Sequence, residues 1–344
     1  MNILEFIHEY GLFLAKAVTV VMAIGALVVV IAAAGRSQKG QKGSLKIHDL
    51  SERLEHYQQQ LEAELFGDDA LKAKEKARKA ERKAKEKAQK GQERQGRLFV
   101  IDFKAGIDAA QVASLREEIS ALLMVAEPKD EVLVRVESGG GMVHAYGLAA
   151  SQLNRIREAN IPLTIAVDKV AASGGYMMAC VANKVIAAPF AIVGSIGVIA
   201  QLPNFNRLLK RNDIEFEQHT AGEFKRTLTL FGENTDEARA KFREELEHTH
   251  ELFKQFVGKY RPQLDLSKVA TGEHWFGHQA LELDLVDELS TSDDFLMAKS
   301  KEKPVLQLEY VEKKNLAKRL GKGAEGALEG AMLKLAEWGQ GSTR

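Results

Sequence analysis

Ser173 lies in Val170-Ala171-Ala172-Ser173-Gly174-Gly175-Tyr176, and Lys225 in Ala221-Gly222-Glu223-Phe224-Lys225-Arg226. Together they offer a hydroxyl nucleophile and an amine base. A serine hydroxyl needs a neighbouring group to take its proton before it attacks a carbonyl. A lysine can take that proton only in its neutral form, and lysine side chains in water titrate near ~10.4. Burial or adjacent positive charge favours the neutral amine. Arg226, next in sequence to Lys225, carries such a charge.

The segments around Ser173 suit acyl chemistry. Leu163 to Val167 reads as a buried strand, followed by small residues on both sides of Ser173. Ala171, Ala172, Gly174 and Gly175 let a substrate backbone come close. Tyr176 to Ala182 has helical character, which puts Ser173 at a helix N-terminus, where free N–H groups stabilise a developing oxyanion. The bland alternative makes Ser173 a helix cap and the glycines packing residues. The G-x-S-x-G elbow is not matched, because Ala171 stands in its first glycine position.

A second glycine cluster follows another strand. Glu131 to Val136 reads as extended, Glu137-Ser138-Gly139-Gly140-Gly141-Met142 follows, and helical periodicity begins at Val143. A strand, a glycine turn and a helix present backbone N–H groups at the strand's C-terminal end. Neither G-x-x-x-x-G-K-[ST] nor G-x-G-x-x-G with its acidic partner occurs, so nothing here calls for a nucleotide. His248 and His250 are two apart on a helix and no H-E-x-x-H pattern is present, so the sequence calls for no metal or other cofactor. His144 and His219 keep a Ser/His arrangement open as the chemical rival. Cys180 sits in an apolar stretch, where burial raises a thiol's pKa and makes it a poor nucleophile.

Four motifs in order resemble one family. Ser138-Gly139-Gly140-Gly141, Ala172-Ser173-Gly174-Gly175-Tyr176, Gly194-Ser195-Ile196-Gly197 and Ala221-Gly222-Glu223-Phe224-Lys225 are similar to those of the signal peptide peptidase A family of Ser/Lys proteases, and most to its bacterial SohB branch. The similarity runs from about Arg97 to Leu289. It includes Ala270-Thr271-Gly272-Glu273 and Gln279-Ala280 through Leu285-Val286-Asp287-Glu288.

This resemblance implies that Ser173 is the acylated nucleophile and Lys225 the general base and later acid. It implies that Gly174 N–H and an N–H from Gly140 form the oxyanion hole, and that Ser195 orients Lys225. It further implies a ClpP/crotonase-type α/β fold, membrane-derived or unfolded peptides as substrates, and homo-oligomers. The chain departs from the family at Gly139, where proline is usual. Glycine leaves the unfolded loop freer by ~0.4–1 kcal/mol. Two other classes stay open: an acyl-CoA-processing enzyme of the crotonase type, and a catalytically silent scaffold or binding protein.

At 344 residues the chain holds one sizeable domain with appendages. Its 48 basic and 48 acidic residues balance, but the balance is local. Lys72 to Arg94 carries 11 Lys/Arg against 4 Asp/Glu, so the remainder is mildly acidic. The one cysteine excludes an intrachain disulfide. Ala17 to Ala34 is an uncharged run of 18 residues, long enough to cross a bilayer. A cleavable signal peptide is the alternative, with Ala32-Ala33-Ala34 as its site, but Glu5 and Glu9 replace the expected basic start. The reading is therefore a retained single-pass anchor, and the family resemblance implies that it sits in a bacterial inner membrane. Arg36, Lys39, Lys42 and Lys46 place the following segment on the cytoplasmic face by the positive-inside rule. The family resemblance implies the periplasmic face.

These features divide the chain into an anchor (1–35), a charged helical or disordered linker (36–96), a Ser/Lys protease domain (97–300) and a tail (301–344). In the linker, Leu54, Tyr57, Leu61 and Leu65 have helical spacing, and Glu75–Lys79, Glu81–Lys85 and Glu86–Lys90 are spaced i,i+4. The basic run lacks interleaved aromatics, so lipid contact is favoured over nucleic acid. In the domain, Leu98–Phe103, Val132–Val136 and Leu163–Val167 are the clearest strands, with Lys184–Ala187 and Val198–Ala200 as shorter candidates. Helices are expected at Ala109–Val125, Val143–Ala159, Tyr176–Ala182, Asn204–Asn212 and across Glu233–Tyr260. This alternation predicts an α/β domain with a largely parallel sheet. Ala327, Leu328, Met332, Leu333 and Leu335 suggest an amphipathic helix in the tail.

Overall fold

The strands of the domain are short apolar runs, and a parallel sheet covered on both faces is the arrangement that buries such runs. The computed structural model describes residues 11–22, 43–67, 72–74, 76–80, 96–222 and 224–312. It divides into two units, residues 45–310 and residues 1–44 with 311–344. In the second of these, residues 11–22 are helical and exposed. Among the described residues no helix is long and apolar enough to cross a membrane. The remainder of the expected anchor, most of the basic run and the tail helix lie outside the described residues.

The large sheet has seven strands: β1 (Gly43–Asp49), β2 (Leu98–Lys104), β3 (Glu131–Glu137), β4 (Leu163–Val167), β6 (Lys184–Ala187), β9 (Glu288–Leu289) and β10 (Val305–Glu312). Their order is β1-β10-β2-β3-β4-β6-β9, and every pair from β10 to β9 is parallel. A smaller sheet joins β5 (Val170–Ala172), β7 (Ile192–Gly194) and β8 (His274–Phe276), with β5 and β7 parallel and β8 antiparallel. The α/β class with a largely parallel sheet is therefore as the alternation predicts. β1 and β10 come from stretches that the sequence reading leaves in the linker and the tail.

Side-chain alternation splits the core between the two faces. Phe99, Ile101 and Phe103 of β2 point into one cluster with Val132, Val134 and Val136 of β3. That face is covered by α2 (Val112–Leu123) and α3 (Val143–Glu158), through Leu115, Ile119, Tyr146, Ala149, Ala150 and Leu153. Leu98, Val100, Leu133, Ala166 and Ile186 face the other way, onto Leu50 of α1 (Leu50–Leu65) and Leu296 of α9 (Ser292–Ser300). Two expectations are corrected. Val198–Ala200 is not a strand, since Ile199 is exposed and the pairing partner of β5 is Ile192–Gly194. The helix expected at Tyr176–Ala182 is α4, Gly174–Ala179, which starts two residues earlier, because the chain turns at Ser173 itself. Asn206–Arg211 forms α5, and Asp236–Tyr260 forms α6 as one unbroken helix capped by Thr235. Leu266–Val269 is α7 and Gly277–Glu282 is α8.

Candidate active site

Ser173 occupies the corner between β5 and α4, at φ 52° and ψ −118°. A residue other than glycine in this region stores about 1–3 kcal/mol of strain and stays there only when its surroundings hold it. Here the backbone holds it on both sides. Its N–H donates to Gly194 O at 2.8 Å, its carbonyl accepts Met177 N–H at 2.9 Å, and the preceding Ala172 N–H reaches Ser138 O at 3.0 Å. The side chain is half-buried and makes no capping hydrogen bond, so Ser173 holds the N-cap position of α4 without its hydroxyl capping the helix. The hydroxyl lies at the start of α4, where the first N–H groups of a helix have no partner within it.

The glycine loop after β3 lies on this corner. Ser138 bridges Ala171 of β5 as a parallel pair, which brings residues 138–141 alongside the nucleophile. Gly140 has φ +88°, and a Cβ built on it would fall 2.6 Å from Gly174 N and 2.7 Å from Ser173 Cβ. Only glycine permits both that dihedral and that approach. On the far side of the corner, a Cβ on Gly174 would fall 2.4 Å from Cγ of Tyr146, whose ring is fully buried. The structure thus brings Ser173, Gly174 and Gly140 together. The Gly140 N–H is not free, however: it donates to Ser138 Oγ at 3.1 Å.

Ser195 follows β7 with φ 52° and is half-buried. Its N–H donates to Glu273 O at 2.7 Å and its hydroxyl to Gly272 O at 3.5 Å, so its bonds run to the 270–273 turn. Lys225 is exposed, with its N–H on Gly222 O at 3.2 Å. It lines a groove of about 670 Å³ with Leu202, Phe216, His219, Arg226 and Phe231. Among the described residues its amine has no hydrogen bond to Ser173 or Ser195. Of the rival bases, His144 is exposed on the first turn of α3, and His219 is exposed with Glu217 at 3.4 Å. Neither is bonded to Ser173. Cys180 is fully buried, and desolvation pushes its thiol far up.

The sequence reading gives three residues at the site no part in it. Tyr146 and Ser138 link the glycine loop to the core, and His250 of α6 reaches Ile196 O at 3.1 Å, holding the residue after Ser195. Tyr146 shares a helical face with Ala149, Ala150 and Leu153, so its periodicity reads as core alone. His250 gives no local signal, because its partner is 54 residues away.

Known proteins match this chain along most of its length. Residues 5–153 match the description "Peptidase family S49 N-terminal", and residues 155–306 match "Peptidase family S49". A Haemophilus influenzae protein described as "Probable protease SohB" is 52% identical over 330 residues, covering 93% of this chain and 94% of that protein. A Buchnera aphidicola protein with the same description is 48% identical over 305 residues, covering 86% of this chain and 100% of its own length. "Protease 4" of Haemophilus influenzae is 27% identical over 165 residues, which is 47% of this chain and 27% of that protein.

Proposed function

Because the chain belongs to peptidase family S49, we propose that it is a serine endopeptidase in which Ser173 is acylated and Lys225 moves the protons. The observation that supports this reading is the contact of Gly140 with the strained Ser173 corner, which lays the glycine loop against the serine. Lys225 takes the Ser173 proton, and Oγ attacks the scissile carbonyl carbon. Gly174 N–H receives the resulting oxyanion. The second donor comes from the glycine loop. Lys225 then protonates the leaving amine, and water deprotonated by Lys225 releases the acyl group.

A lysine acts as base only after desolvation removes its proton. The groove around Lys225 is open, and a bound peptide or a second subunit laid over it supplies that desolvation. Ser195 orients the amine once the groove is covered. The anchor at 17–34 holds the enzyme at the bacterial inner membrane, which brings membrane-derived or unfolded peptides within reach of the groove. A ClpP/crotonase-type arrangement accounts for the sheet order and the two glycine turns.

The test is intact mass after incubation with a fluorophosphonate, comparing wild type, Ser173→Ala and Lys225→Ala. One adduct on wild type and none on either variant is expected. Labelling that survives in Lys225→Ala moves the base to another residue, and an unlabelled but folded wild type removes the hydrolase reading.

A further inference from the structure

Ser138 ties the two halves of the site together. It is 2% exposed, its N–H donates to Val170 O at 2.8 Å, and its carbonyl accepts Ala172 N–H. Its hydroxyl is bonded to the Tyr146 phenol and accepts Gly140 N–H. The phenol in turn reaches Gly106 O at 2.6 Å. A backbone carbonyl can only accept. The phenol proton therefore goes to Gly106, the Ser138 proton goes to the phenol, and a Ser138 lone pair is left for Gly140 N–H. The carbonyl acceptors at that end, Gly106 O and at 3.4 Å Ala105 O, fix the direction of the whole chain, and bonds aligned in this way strengthen one another.

We propose that Tyr146 and Ser138 are positioning residues for the glycine loop, doing by hydrogen bonds what a proline at 139 would do by restricting the backbone. The inference rests on the reading of Ser173 as the acyl nucleophile. Three consecutive glycines have the greatest conformational freedom a chain can have. Yet the middle one is held at φ +88°, against Ser173. The loop's own backbone does not impose that conformation, and the hydrogen-bonded chain does. Position 139 is compatible with the missing residue: a Cβ there meets nothing within 4 Å, its φ is not positive, and Ser138 before it lies in a β-bridge, as a residue preceding proline should. Burial raises the Tyr146 pKa, with Asp108 adding to the shift, so the phenol keeps the proton that the chain needs.

The experiment uses the full chain with two readouts: hydrogen exchange of the 138–142 amides and the rate of fluorophosphonate labelling. Tyr146→Phe should speed exchange in that segment and slow labelling by about tenfold, the scale of a loop misplaced by a fraction of an ångström. Adding Gly139→Pro to Tyr146→Phe should restore most of the labelling rate, which a merely structural role of the phenol would not produce. Ser138→Ala should reproduce both effects and serves if Tyr146→Phe does not fold. Unchanged exchange and labelling in a folded variant overturns the inference, as does a labelling loss that Gly139→Pro leaves untouched. If wild type itself is not labelled but exchange responds as stated, the positioning chain stands and the nucleophile reading falls.

Discussion

Gly140 rests on Ser173: a single carbon added to the glycine would come within 2.7 Å of the serine Cβ. The two residues lie on different strand-to-helix turns and are joined by the Ser138–Ala171 bridge. That contact makes the site intolerant of side chains at residues that themselves do no chemistry.

Gly140→Ala meets the corner from the loop side. The added methyl also collides with Gly174 N at 2.6 Å, and alanine disfavours φ +88°. The loop must withdraw, and with it an oxyanion donor worth about 10²–10³ in rate. Fluorophosphonate labelling should fall by that factor while the melting transition stays cooperative. A rate within twofold of wild type would sink the oxyanion role of the loop.

Gly174→Ala meets the corner from beneath. Its methyl would sit 2.4 Å from the Tyr146 ring, which is fully buried and has nowhere to move. Overpacking of this kind costs about 1–3 kcal/mol. Urea unfolding should show a lower midpoint at unchanged slope.

Arg97→Met tests a buried ion pair far from the site. The Asp130 side chain is 1% exposed and takes Arg97 Nη2 at 2.7 Å. Burial alone would raise this carboxyl's pKa, but the Arg97 guanidinium and the N–H groups of Glu127 and Arg97 hold it below the usual range. Removing the guanidinium leaves a buried charge, at a cost of about 3–5 kcal/mol. The loss should shrink under acidic conditions, where Asp130 is protonated. A melting temperature equal to wild type at pH 7 would show that the pair contributes nothing.

Glu118 gives stability an opposite dependence on pH. It lies 4% exposed on α2, and its carboxylate accepts Tyr310 N–H at 2.8 Å. Desolvation, with Asp102 and Glu309 nearby, pushes its pKa up to about 7 against that hydrogen bond. The folded state therefore favours the protonated acid. The associated stability is complete below the unfolded value of 4.5 and is lost as pH rises through about 7. Thermal melts should show this loss as pH rises from about 4.5 to about 7, on the order of 3 kcal/mol at most. In Glu118→Gln that component should vanish; an identical pH profile in the two proteins would refute the assignment.

Much of this was written locally in the chain. Runs such as Leu98–Phe103 and Val132–Val136 are apolar enough to be buried on both faces, and the glycines after β3 and around Ser173 mark the turns at which strands become helices. These are short-range properties, set by burial of successive side chains and by the dihedrals that small residues allow. Val198–Ala200 shows where local reading fails, since a short β-branched segment becomes a strand only if an edge is offered, and the edge of β5 is taken by Ile192–Gly194. The strand β10 was passed over because its apolar residues find their partner, β2, some two hundred positions earlier in the chain.

The amino-acid sequence by itself determined the nucleophile candidate, the glycine turns and the α/β alternation, because each depends on residues adjacent in the chain. Only the tertiary structure decided that Gly140 lies against Ser173, that its N–H is spent on Ser138, and that Tyr146 anchors both. Those contacts join β3, β5 and α3, and their energies depend on distances of a few tenths of an ångström, which packing sets and sequence spacing does not.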